Sequence, residues 1–275
     1  MERVGRGDVE IAFELDGQGE PLVLLMGLGG DHHAWDLLRP LLRRRHQLVL
    51  IDNRDAGLSS EASGGYGLGD MAADVLAVVD RLGMDRFHVL GASMGGAIAQ
   101  HLALAAPQRI ASMMLLGTWV RTDAFLRAVL GSWRALVERV PAELFVTQQL
   151  PWLYGPRSLQ DPPAEVVAWQ EQARARGLIK SPGAIGRQID ACLAHDLADV
   201  LIMLRTPTLV MVGEDDILVP ARHARHVVSC LFTAEYQAIP AAGHAAFLET
   251  PKAVAERVLR MTERHAFTRA DRKSS

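Results

Sequence analysis

Apolar and polar residues roughly alternate along residues 9–15, and Asp16-Gly17-Gln18-Gly19 follows, the pattern of a half-buried strand entering a turn. Farther along, the apolar runs become continuous. Residues 21–26 (PLVLLM), 47–52 (QLVLID), 87–90 (FHVL), 110–117 (IASMMLLG) and 208–213 (TLVMVG) offer apolar side chains to both faces of an extended chain, and 234–240 adds a more mixed strand. Between these runs the apolar period lengthens to that of a helix, at 35–42, 71–82, 94–105, 221–231 and 246–265. Strands buried on both faces and alternating with amphipathic helices predict a parallel sheet covered on both sides, after an antiparallel start. The fold class is therefore α/β.

From 119 to 205 the pattern changes. Apolar residues recur at helical spacing with no convincing strand, and Pro141, Pro151, Pro156, Pro162, Pro163 and Pro182 punctuate the helices. This predicts an all-helical insertion, 119–205, in a core made of 1–118 and 206–275. Trp119, Trp133, Trp152 and Trp169 fall in it together with Tyr154. These aromatics either glue a small helical unit to the sheet or line a lid over a pocket. The polar tail 268–275 is expected to be unstructured.

Composition narrows the function classes. Of the 275 residues, 49% are hydrophobic and 22% charged, and 29 basic against 32 acidic side chains leave a net charge of −3. The longest basic run is Arg43-Arg44-Arg45, too little for a surface that tracks phosphates, so no nucleic-acid partner is expected. The apolar runs are about half the length of a membrane-spanning helix, and no membrane partner is expected. A polar start, 1–8, without an apolar stretch behind it implies a chain that begins near Met1. Cys192 and Cys230 lie far apart without ligand spacing, as simple thiols of a reducing cytoplasm do.

The candidate chemistry centres on Gly91-Ala92-Ser93-Met94-Gly95. The segment leaves the strand at 87–90 and opens the helix at 94–105, so Ser93 sits on a sharp strand-to-helix turn with its hydroxyl exposed above the sheet. Side chains at Gly91 and Gly95 would collide with the neighbouring strand and helix. Placement between strand and helix is what makes this short pattern specific in a chain with 24 glycines. A serine hydroxyl needs a base, and the base needs a group that holds its tautomer. Two later turns offer them, Gly213-Glu214-Asp215-Asp216-Ile217-Leu218-Val219-Pro220 and Gly243-His244, in the order serine, acid, histidine.

With these segments the chain resembles the α/β-hydrolase superfamily over almost all of its length outside the insertion. The resemblance implies a mostly parallel eight-stranded sheet with a helical cap. It assigns Ser93 as nucleophile, His244 as base and Asp216 as orienting acid, through Gly213-x-x-Asp216-x-x-x-Pro220, with Asp215 as the neighbouring candidate. The residue after the nucleophile, Met94, supplies one oxyanion N–H, and alignment of Met26-Gly27-Leu28-Gly29-Gly30 with the family's H-G-x-G-G gives Leu28 as the other. Met26 stands where histidine is common. Asp52-Asn53-Arg54-Asp55-Ala56-Gly57-Leu58-Ser59 matches a further family segment with Asp55 replacing a glycine, as in a bacterial subgroup that includes anthracycline methylesterases. Asp52 and Arg54 read as braces for the loop, and His32 and His33 beside it either line the pocket or, the favoured reading, are solvated residues at a helix start. His101, His195, His223 and His226 read as helix-surface or interhelix residues without a metal context.

A serine at the turn implies acyl transfer and disfavours dehalogenation or epoxide opening, which use aspartate there. The favoured reading is hydrolysis of a carboxylic ester of a small to medium apolar molecule, with no cofactor or metal required. Met26, Trp119, Trp133, Trp152 and Tyr154 are the pocket candidates. Enol-lactone or C–C bond hydrolysis and cofactor-free perhydrolysis compete on the same residues, and a slow-turnover ligand receptor competes from outside catalysis. The oligomeric state is left open.

Overall fold

The computed structural model describes residues 1–177 and 180–267, and the predicted tail 268–275 lies outside them. Eight strands form one sheet: β1 (Glu2–Arg6), β2 (Val9–Asp16), β3 (Glu20–Leu25), β4 (His46–Ile51), β5 (Phe87–Ala92), β6 (Ile110–Leu116), β7 (Thr208–Gly213) and β8 (Ala234–Ile239). Their order is β1-β2-β4-β3-β5-β6-β7-β8. The β1–β2 and β2–β4 pairs are antiparallel and the others parallel. This is the α/β-hydrolase fold. No described helix is long and apolar enough to cross a membrane.

The double-sided strands explain the two cores. Val23 and Leu25 of β3 and Val49 and Ile51 of β4 pack on one face, beneath α2 (Leu68–Arg81 in full, with α1 being the single turn Arg39–Leu42) and α3 (Met94–Ala105). Leu22, Leu24, Leu48 and Leu50, the alternate residues, pack on the other face with Trp35, Leu38 and Leu42. A period of two in a strand sends neighbours to opposite sides, so a strand apolar at every position has to be covered twice.

Three elements depart from the pattern-based expectation. β1 falls in the polar stretch 1–8; it is an edge strand with no buried residue, so it has no apolar face to announce it. The stretch 35–42 is not one helix but a 3₁₀ turn, His32–Trp35, followed by α1. The last helix is two: α11 (Ala246–Glu249) ends at Thr250, and α12 (Pro251–Arg264) starts on Pro251. Thr250 is pushed to φ −137°, ψ 55° because the ring of a following proline crowds the helical conformation.

Between β6 and β7 the chain forms α4 (Ala124–Leu136), α5 (Ala142–Thr147), α6 (Leu150–Leu153), α7 (Pro156–Gln160), α8 (Ala164–Arg176) and α9 (Pro182–Leu193), and α10 (Ala221–Cys230) follows β7. Among the described residues of 119–205 no strand forms, only an isolated bridge between Arg121 and Asp196. On α4 the residues Leu126, Val129, Leu130 and Trp133 are buried, the stripe expected of a helix lying on a core. They pack in the same apolar cluster as Ile185, Ile189 and Cys192 of α9.

Candidate active site

β5 ends at Ala92 and α3 begins at Met94, leaving Ser93 alone to reverse the chain. It does so at φ 54°, ψ −121°, a left-handed conformation that costs a non-glycine residue on the order of 1–3 kcal/mol. The surroundings hold it there. Ser93 N–H donates to Leu116 C=O at 2.8 Å, and Ser93 C=O accepts from Gly96 N–H at 2.9 Å and from Thr118 Oγ1 at 2.8 Å. A Cβ on Gly91 would lie 2.3 Å from Gly95 O, and one on Gly95 would lie 2.0 Å from Leu25 O, the collisions expected from the tightness of the turn. Ala92 and Met94 are buried, whereas Ser93 is partly accessible. The free N–H groups and positive end of α3 lie beside it.

The candidate acid and base meet at the ends of β7 and β8. His244 Nδ1 lies 2.8 Å from Asp216 Oδ2, and Asp216 Oδ1 accepts from Val219 N–H at 2.8 Å. Both side chains are buried, while Asp215 is exposed. With Asp216 against Nδ1, the tautomer it favours carries the proton there and leaves Nε2 as a base. The histidine loop is anchored from below. Glu249, at the end of α11, accepts from Gly243 N–H at 2.7 Å and from Gly155 N–H of the insertion at 3.0 Å, and Ala245 N–H donates to Leu153 C=O at 2.8 Å.

The loop after β3 is pinned peptide by peptide. Met26 C=O accepts from Asn53 Nδ2 at 2.9 Å, Gly27 C=O accepts from Gly30 N–H at 3.1 Å, and Gly29 N–H donates to Gln188 Oε1 at 2.8 Å. Because a trans peptide points its C=O and N–H in opposite directions, the bond to Gly27 C=O turns Leu28 N–H outward from the loop. Asp52 and Arg54 brace the site from below. Asp52 accepts from His32 N–H and Nδ1 through Oδ1 and from Leu58 N–H through Oδ2; Arg54 makes a two-pronged pair with Asp74 at 2.7 Å per bond. The solvated reading of His32 is corrected here, since the side chain is buried against Asp52. Burial works against a charge on its ring, but the hydrogen bond to Asp52 prevails and holds its pKa above the usual histidine value. His33 keeps partial exposure and contacts Asp36.

Asp55 also takes a left-handed backbone, φ 65°, where the family segment has glycine. Its fully buried carboxylate accepts from Tyr66 Oη and Ala62 N–H and forms two bonds to Arg187 of α9, at 2.9 and 2.7 Å. The neighbouring Gln188 side chain, besides its bond to Gly29, donates to Arg54 C=O at 2.9 Å.

A cavity of about 20 Å³, room for about one water molecule, opens at Ser93 and is lined by Leu28, Trp119, Leu126, Leu130, Trp133, Cys192, Leu218 and Val219. Of the pocket candidates, Trp119 and Trp133 lie in this wall. Met26 packs instead among the second core's residues with Tyr154, and Trp152 sits against Phe125, ring centroids 6.4 Å apart. Leu126, Leu130 and Cys192 enter from the insertion at positions the helical stripes of α4 and α9 carry, and Leu218 and Val219 from the loop that bears Asp216. The described lining carries no charged side chain, and burial pushes the Cys192 thiol far above its usual pKa, leaving it neutral. His195 is buried behind Trp119, its Nε2 3.2 Å from Trp119 C=O, and burial lowers its pKa to about 4.

Comparison with known proteins identifies the family. Residues 20–251 match the family model described as alpha/beta hydrolase fold. RutD of Azorhizobium caulinodans, a candidate carbamate hydrolase, is 34% identical over 217 residues, covering 78% of this chain and 80% of that protein. BpoC of Mycobacterium tuberculosis, a candidate non-heme bromoperoxidase, is 30% identical over 259 residues, covering 90% and 95%. Among solved structures, a thermophilic esterase from Thermogutta terrifontis superposes with a TM-score of 0.86 at 25% identity, over 97% of this chain and 100% of that one. A sharp serine turn, a buried Asp–His pair and a family match across most of the sheet lead to one conclusion: the chain is a hydrolase belonging to the α/β-hydrolase family.

Proposed function

We propose that this hydrolase cleaves carboxylic esters of small to medium apolar molecules through an acyl-enzyme on Ser93. His244 removes the Ser93 proton as Oγ attacks the ester carbonyl, and Asp216 steadies the imidazolium that forms. The N–H groups of Leu28 and Met94 receive the oxygen as it becomes negative, a term worth about 10²–10³ in rate per donor in related chemistry. His244 then gives its proton to the leaving alcohol, and water enters by the same base to free the acid.

The observation that carries the ester reading is the cavity wall: aliphatic and aromatic side chains meet at Ser93, with no charged partner among the lining residues. A carboxylate or ammonium placed there would be stripped of water without compensation, at a cost of several kcal/mol. An uncharged acyl group gains from the same wall about 0.8 kcal/mol per buried methylene. The present cavity holds little more than one water, so admission of an acyl chain requires the insertion to shift, and we assign residues 119–205 the role of a cap. A carbamate is the second reading, favoured by the likeness to RutD. It presents a similar planar carbonyl, and in this wall its neutral esters fit better than the free anion.

The test is a panel of p-nitrophenyl esters, acetate to long-chain acyl, hydrolysed by wild type and Ser93→Ala side by side. Turnover of short and medium esters is expected to fall by about 10⁴-fold or more in Ser93→Ala. Turnover that survives in the variant contradicts the proposal.

A further inference from the structure

We propose that Gln188 of the inserted helix α9 is a positioning residue for the oxyanion loop, so that seating of the cap on the core sets the reactivity of Ser93. The inference rests on the acyl-enzyme reading above. Gln188 is fully buried and uses both ends of its carboxamide on two different core loops, Oε1 on Gly29 N–H and Nε2 on Arg54 C=O. It stands on a helix face otherwise made of Ala184, Ile185, Ile189 and Cys192. Leucine or methionine would suit that packing better, so the polar choice calls for a reason, and the two main-chain groups it satisfies supply one.

Those groups bracket the chemistry. Of the three bonds that fix the loop after β3, the ones at Met26 and Gly27 come from the core, and the third, at Gly29, comes from the cap. Leu28 lies between the second and the third. Removing the carboxamide frees the peptide that follows Leu28, and an oxyanion donor acts only within a window of about 2.7–3.1 Å from the developing charge. Adjacent contacts seat α9 and the cap on the same side of the site: Arg187 on Asp55, and Trp169 Nε1 on His33 C=O at 2.8 Å. Gln188 touches no reacting atom in this scheme. It acts through Leu28, and its loss is felt when negative charge develops on the oxygen rather than when substrate binds.

The experiment compares the full-length wild type with Gln188→Met and Gln188→Glu, by ester kinetics and by the rate at which a fluorophosphonate labels Ser93. The label forms a phosphorus–oxygen bond with Ser93 Oγ, expels fluoride, and places a phosphoryl oxygen in the proposed hole without requiring the right ester. In Gln188→Met, kcat and the labelling rate are expected to fall together by about tenfold or more while KM stays within about threefold. Gln188→Glu keeps the acceptor for Gly29 N–H and, where its carboxyl is protonated, the donor to Arg54 C=O, so it is expected to keep more of the rate than Gln188→Met. Rates in Gln188→Met within twofold of wild type overturn the inference, as does a loss expressed in KM with kcat kept. If Gln188→Met does not fold, Gln188→Asn, too short to span both loops, has to show the same fall in kcat and labelling, and wild-type rates there overturn the inference. Failure of the label to reach Ser93 in the wild type removes the acyl-enzyme reading itself and this inference with it. Labelling unchanged by all the Gln188 variants removes this inference alone.

Discussion

The turn at the end of β5 and the end of β7 are fixed largely by main-chain hydrogen bonds, whereas at the Ser93 cavity and the loop after β3 the helices of 119–205 act through side chains. Ser93 hangs from Leu116, Gly117 N–H donates to Met211 C=O, and Glu214 N–H donates to Ile239 C=O, each bond joining neighbouring strands or strand ends. The insertion contributes Leu126, Leu130, Trp133 and Cys192 as walls and Arg187 and Gln188 as ties. Main-chain geometry tolerates many side-chain changes; a wall or tie is altered by one. On the proposed mechanism the chemistry falls to loops of the sheet, while substrate choice and the seating of the insertion fall to residues that can vary without touching the Ser93 turn.

The largest effects should come from the sheet side. His244→Ala is expected to lower kcat by about 10⁴–10⁶-fold with the circular dichroism spectrum retained. Asp216→Asn should cost about 10³–10⁴-fold by leaving the imidazole in the wrong tautomer. Asp215→Asn, at an exposed side chain, should stay within about threefold. A reversal of the two aspartates would move the acid to Asp215.

A smaller, qualitatively different effect is expected from the cap wall. Trp133→Ala removes a buried indole and should shift the preferred p-nitrophenyl ester toward longer acyl chains, changing relative kcat/KM between butyrate and octanoate by about tenfold. It should also cost about 3–5 kcal/mol of stability, read by chemical unfolding. An unchanged chain-length profile would mean that Trp133 is packing only, and would blur the division between the two regions.

The last effect is on stability and leaves turnover at neutral pH unchanged, and one of its two groups sits at the opposite end of β5 from Ser93. His88 is buried with Nδ1 2.7 Å from Ser112 Oγ, and burial, then the charges of His46, Arg86 and His265, lowers its pKa to about 3 despite Glu20 at 3.4 Å. His195, lowered to about 4, behaves alike. In the unfolded chain both rings take protons near pH 6.5, while the folded chain refuses them until pH 3–4, so protons favour the unfolded state across that interval. The stability from neutral burial is complete above pH 6.5 and is lost as pH falls toward 3, by up to about 1.4 kcal/mol per pH unit for each group. Thermal unfolding from pH 7.5 to 4.5 should show this fall, with a shallower slope in His88→Asn; an equal slope would place the acid sensitivity elsewhere.

What the chain announces in sequence follows the same division. β3, β4, β5, β6 and β7 are legible because burial on both faces leaves a mostly apolar run even where His88 in β5 and Ser112 in β6 interrupt it, and the candidates Ser93 and Asp216 because each lies just beyond such a run; His244 follows the half-exposed β8 and is marked only by the Gly243-His244 pattern. β1 is not legible, as an edge strand with neither face buried has no apolar pattern. The break at Thr250 is written in Pro251 but masked by the helical period on either side of it. Gln188 leaves one local signal, a polar residue on the buried stripe of α9, and its partners at Gly29 and Arg54 are 159 and 134 residues away. Met26, Trp152 and Tyr154, chosen for size and neighbourhood, pack away from the Ser93 cavity because helix spacing gives a face but not the direction in which the helix is laid.

In the proposed mechanism Ser93 carries the acyl group. Wild type and His244→Ala, mixed with p-nitrophenyl butyrate, quenched in acid within milliseconds to minutes, digested and mapped by mass spectrometry, test it most directly. One butyryl group is expected on Ser93, formed with a matching release of p-nitrophenol in the wild type, and formed far more slowly in the variant. A butyryl group on any other residue, or p-nitrophenol released catalytically with Ser93 never modified at any quench time, would contradict it.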